Sequence, residues 1–91
     1  MPHGLTPETL QMLHVFDRIN KSPAYGSPKI RLLQIDNITD TEGQQMDALS
    51  KEGIISTKHV HQNGQVYIQI ELLEPLSTRW KAMAVEYLSN T

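Results

Sequence analysis

The stretch 38–74 most constrains what this chain can fold into, because a helix-stopping glycine there is followed by two strand-like runs and a tight turn. Glu52-Gly53-Ile54 has the pattern of a helix end. Glycine takes the left-handed conformation without a Cβ clash, and the apolar residue after it packs back on the last turn. Upstream, Thr39-Asp40-Thr41-Glu42 fits a capping box, in which the Thr39 hydroxyl accepts from the amide three residues on and Glu42 reaches back. Asp40 and Glu42 also suit the positive end of a helix dipole. The spacing predicts a helix over 39–52, then strands over 54–61 and 65–73 joined at Asn63-Gly64. An Asn-Gly pair between two such runs favours a two-residue type I′ turn.

That turn sets a register. Gln62 falls opposite Gln65, His61 opposite Val66, Val60 opposite Tyr67, His59 opposite Ile68, Lys58 opposite Gln69 and Thr57 opposite Ile70. Side chains alternate between faces. One face therefore carries Ile55, Thr57, His59 and His61 beside Val66, Ile68, Ile70 and Leu72. It is the more apolar at its base and is placed against the helices, with His59 and His61 towards the tip.

The rest of the chain reads as three more helices. Thr6-Pro7-Glu8 is a hydroxyl cap, a proline at the first helical position and an acid. Leu10, Leu13, Phe16 and Ile19, with Met12 and Val15, keep a period near 3.6, so a helix is predicted over 6–21. Ser22-Pro23-Ala24-Tyr25-Gly26 breaks it. Ser27-Pro28 repeats the cap-then-proline start, and Ile30, Leu32, Leu33 and Ile35 predict a short second helix over 28–35. Gly43 sits inside the third helix at a cost of about 1 kcal/mol relative to alanine, either to let the second helix approach or to bend the third. Pro75 ends the hairpin, and Ser77 caps a fourth helix over 78–89 lined by Trp80, Met83, Ala84, Tyr87 and Leu88. No internal repeat, low-complexity segment or linker interrupts the 91 residues, which read as one domain.

Composition excludes several classes. No apolar run approaches the roughly 18 residues of a membrane span, and Met1-Pro2-His3-Gly4 lacks signal-peptide character. The absence of cysteine removes disulfides and thiolate metal sites, and suits a reducing cytoplasm. Nothing resembles a nucleophile elbow, a Gly-rich phosphate loop or a metalloprotease helix, so no enzyme and no cofactor is expected. The net charge of −2 sits awkwardly with nucleic acid, since a basic patch normally supplies that affinity.

Met46-Asp47-Ala48-Leu49-Ser50-Lys51-Glu52-Gly53-Ile54-Ile55 resembles the Leu-x-x-x-Gly-(Leu/Ile)-Ile junction between recognition helix and wing in bacterial winged-helix regulators of the MarR and PadR type. The resemblance implies a winged helix-turn-helix, an α+β fold of order α-α-α-β-β-α. It implies that the third helix enters the major groove, that the wing touches the backbone, and that the terminal helices make a homodimer. The chain departs from the pattern at Gln45 and Glu42, where such regulators carry further apolar residues. Its third helix also presents Asp40, Glu42, Asp47 and Glu52 against Lys51 alone.

Candidate roles follow, each beside a plainer one. Thr41, Gln44 and Gln45 lie where a recognition helix meets base edges, and glutamine can bond the N6/N7 edge of adenine. Lys58, with Asn63 near the wing, and Ser27, Lys29 and Arg31 at the start of the second helix could hold phosphate. The plainer reading of both sets is a solvated polar surface. His59 and His61 could supply two metal ligands, but a closed zinc site needs about four, so His3, His14 or an acid would have to converge. Leu13, Phe16, Trp80, Met83 and Tyr87 form a core or a dimer seam. The leading expectation is a small regulator binding duplex DNA. The alternative, favoured by the acidic third helix, is a protein-interaction or assembly module without nucleic acid.

Overall fold

The computed structural model describes residues 5–88. In chain order the elements are α1 (Pro7–Asn20), β1 (Ile30–Gln34), a 3-10 turn (Ile35–Asn37), α2 (Asp40–Lys51), β2 (Ile55–Gln62), β3 (Gln65–Leu72) and α3 (Leu76–Leu88). The strands form one antiparallel sheet in the order β1-β3-β2.

Local chemistry accounts for the α2–hairpin unit. The Thr39 side chain accepts from the Glu42 amide at 3.1 Å while Glu42 accepts from the Thr39 amide at 3.0 Å, which closes the capping box. At the other end the Gly53 amide donates to Ser50 and the Ile54 amide to Leu49, the paired bonds of a Schellman stop. Gly53 has φ +79°, in the left-handed region that a side chain disfavours. Asn63 and Gly64 both have positive φ, as a type I′ turn requires. The register from Gln62–Gln65 to Thr57–Ile70 is the one the turn predicts.

The expected order α-α-α-β-β-α is wrong, and with it the helix-turn-helix. Residues 30–34 form a strand, and only the three-residue 3-10 turn precedes α2. Three physical reasons favour the strand. First, Ser27-Pro28 is a turn and not a helix start: the Ile30 amide donates to the Ser27 carbonyl and the Lys29 amide to the Ser27 hydroxyl. Proline is as well suited to the second position of such a turn as to the first turn of a helix. Second, a lone two-stranded hairpin is marginal in water, and β1 satisfies the second edge of β3 from Ile30–Glu71 to Gln34–Tyr67. Third, a strand places Leu33 on the core side, opposite Ile68, where it packs on the buried cluster.

Phe16, Ile19, Leu49, Ile55 and Ile70 make the centre of the core, and α1, α2 and the base of the hairpin meet there. Of the residues assigned to a core or dimer seam, Leu13 and Phe16 are fully buried inside the domain. Trp80, Met83 and Tyr87 are half-buried, and the Trp80 ring lies 5.9 Å from that of Phe16. α3 begins at Leu76, two residues before the expected start, so Ser77 lies within the helix and is buried instead of capping it. The expected helix end at Ser89, the candidate ligand His3 and the rest of positions 1–4 lie outside the described residues.

Candidate functional site

α2 is amphipathic, and its two polar flanks face different neighbours. Met46 and Leu49 are buried. On the flank towards α1, Glu42 pairs with Arg18 and the Gln45 amide donates to Gln11 at 3.2 Å. Arg18 also donates to the Asn37 carbonyl at 2.8 Å, so it ties α1 to the turn that leads into α2. The Glu42 carboxyl is held below the ordinary carboxylate range, first by the Thr39 backbone amide and then by the Arg18 guanidinium.

The other flank is open. Between α2 and the 3-10 turn runs a groove of about 590 Å³ lined by Ile35, Ile38, Thr39, Asp40, Gly43, Gln44, Asp47 and Ile68. A hollow of about 170 Å³ adjoins it towards the hairpin, sharing Gly43, Asp47 and Ile68 and adding Met46, Thr57 and His59. The floor is apolar and the rim carries carboxylates. Asp40 and Asp47 are both exposed, and they are seven residues apart, two turns along one helix face. Among the described residues Asp47 has one ionic neighbour, Lys51 at 3.4 Å, with both side chains more than two-thirds exposed. A solvated i,i+4 pair of this kind is weak.

The predicted nucleic-acid residues do not converge. Gln44 lines the groove, whereas Thr41 and Gln45 line a separate cleft with α1. Lys58 lies opposite Gln69 on the face of the sheet away from the core, because Thr57 and His59 take the core side. It has no ion-pair partner among the described residues. Asn63 is exposed at the hairpin tip. Ser27, Lys29 and Arg31 are not at a helix start: Ser27 is in the turn before β1, and Lys29 precedes the strand. The Leu72 amide donates to the Lys29 carbonyl, which puts Lys29 at the base of the hairpin, seven residues along β3 from Gln65. At about 3.3 Å per residue that is roughly 23 Å from the tip. Arg31 turns inward and donates to the Ser22 carbonyl at 3.0 Å, tying the end of α1 to β1.

Among the described residues, four of the eight Lys and Arg side chains are in ion pairs: Arg18 with Glu42, Lys21 with Asp17, Lys29 with Glu74 and Lys51 with Asp47. No group of three or more His, Cys, Asp or Glu able to hold a metal occurs among the described residues, so His59 and His61 gain no third ligand there. No described helix is long and apolar enough to cross a membrane. Sequence reading missed the groove itself, since two of its three apolar floor residues are Ile35, expected at the end of a second helix, and Ile38, expected in the core of the third. The signal that was available is Gly43, a glycine inside a helix that nothing nearby in sequence requires. No family profile matches the chain, and no curated protein or solved structure matches it.

Proposed function

We propose that this chain is a protein-interaction module that docks a partner polypeptide in the groove between α2 and the 3-10 turn, closed on one side by Ile68 of the hairpin, without binding nucleic acid. The observation that carries the reading is the pairing of an apolar floor, Ile35, Ile38 and Ile68, with the exposed carboxylates of Asp40 and Asp47 at its rim. A phosphate backbone would approach α2 against those carboxylates, and duplex affinity rests on cations that neutralise phosphate. Here Lys58 lies on the back of the sheet and Lys29 is paired at its base. A polypeptide that brings apolar side chains to the floor gains by burial, and its cations meet the rim. The lack of cysteine suits a reducing compartment such as the cytoplasm.

The test is a photo-crosslinking residue placed at Gln44, which lies at the groove and is exposed. Irradiation in cells is expected to yield an adduct with a discrete polypeptide, and Asp40→Lys with Asp47→Lys should abolish it. Absence of a polypeptide adduct, together with salt-sensitive retention of a duplex by the native chain, would replace this reading with the DNA one.

A further inference from the structure

The groove has a feature that its own domain does not use. Gly43 lies in the interior of α2, where glycine is about 1 kcal/mol less favourable than alanine. Its backbone is not in the left-handed region, unlike those of Gly26, Gly53 and Gly64. A Cβ built on it would meet nothing within 4 Å, so no close approach inside the chain calls for glycine. The space it leaves opens into both the groove and the adjoining hollow. Along α2, Gly43 falls between Asp40 and Asp47, which are separated by about 10.5 Å at 1.5 Å per residue.

From this we propose the occupant, resting on the interaction-module reading: a helical segment of a partner protein that lays one large apolar side chain over Gly43 between two flanking cations. The charge pattern selects the ligand. Two carboxylates seven residues apart on one helix face are matched by two Lys or Arg seven apart on another helix. A residue three or four positions from the first shares that face and points at the gap. Glycine at the crossing lets the two backbones approach, while Ile38 and Ile68 receive the apolar side chain. Lys51, held only by a solvated contact with Asp47, is displaced by the incoming cation.

The experiment uses the full chain, 15N-labelled, titrated with two synthetic alanine-rich helical peptides. One carries Lys-x-x-Leu-x-x-x-Lys and the other carries Glu at both Lys positions. The Lys peptide is expected to shift the amides of 38–47 and Ile68 saturably, with an affinity at least tenfold above that of the Glu peptide and falling with salt. Gly43→Leu should cost at least tenfold in affinity while Trp80 fluorescence and thermal unfolding report an intact fold. Should that variant unfold, the surface change Asp47→Lys takes its place with the same expected loss. Equal response to both peptides, shifts centred away from the groove, or affinity unchanged by these variants would overturn the proposal. The two readings fail differently. A Gln44 polypeptide adduct that survives Gly43→Leu removes this seat and leaves the module. A duplex that shifts the same amides while no adduct forms removes the module.

Discussion

Replacing Gly43 by alanine tests the premise of the groove argument directly. The substitution adds one methyl group at an interior helical position where that methyl meets no atom within 4 Å. The expected gain is therefore the propensity difference alone, about 1 kcal/mol, part of it from restricting the unfolded chain. Unfolding entropy near about 2.1 cal/mol/K per residue gives roughly 0.19 kcal/mol/K for a chain of this length, so the midpoint should rise by about 5 °C. Thermal unfolding followed by far-ultraviolet circular dichroism would read this. Urea unfolding should show a higher midpoint at constant slope. The control is Gly53→Ala, the same atoms added at φ +79°. Its Cβ would lie 3.8 Å from Leu76 Cδ1, an ordinary contact, so the cost is backbone strain of about 1–2 kcal/mol and the midpoint should fall by about 5–10 °C. A Gly43→Ala protein no more stable than the parent would mean that this glycine serves packing within the domain. The inference of an outside occupant would then lose its footing.

Three further outcomes are expected. Thr39→Ala removes the Thr39 half of the capping box on α2 and should cost about 1 kcal/mol in urea unfolding. Ile70→Ala empties a fully buried position between α1, α2 and the sheet and should cost about 2–5 kcal/mol, enough to broaden or abolish the folded amide spectrum of a small domain. For Glu42, whose carboxyl is held below its ordinary value, the sign follows from linkage. The folded state favours the ionised form, so its contribution is complete above the ordinary carboxylate range and is lost as pH falls through the depressed value. The parent should lose stability relative to Glu42→Gln on acidification, measured as converging urea midpoints. A gap that widens at low pH would contradict this.

The elements legible in the sequence are those whose signals are purely local. The Thr39 box, the Gly53 stop and the Asn63-Gly64 turn each involve four to six consecutive residues, and each forms as read. Residues 28–35 were not legible, because their state is decided by a partner about forty residues away. Ile30, Leu32, Leu33 and Ile35 fit a short helix or a half-buried strand equally by pattern. What decides is the unpaired edge of β3, which no window around Ile30 contains. The Ser27-Pro28 pair reinforced the wrong choice, since a hydroxyl before proline marks both a helix start and a turn. Pairing with β3 then moved Lys29 and Arg31 from an imagined helix tip to the base of a sheet.

The same displacement governs the functional reading. A helix-turn-helix presents its recognition helix because a preceding helix braces it and the cations around both aim at one groove of DNA. Here Arg18 braces α2 from α1, through Glu42 and the Asn37 carbonyl, so that cation is consumed in holding the helix. The strand that replaces the second helix leaves Ile35 and Ile38 beside the first turn of α2, where they become the floor of an apolar groove. Thus one change of secondary structure removes positive charge from the face of α2 and adds apolar surface next to it. Both effects disfavour a polyanion and favour a polypeptide. The carboxylates of Asp40 and Asp47, which fit no phosphate-binding role, form the rim of that groove, and on the proposed reading they would select a cationic partner.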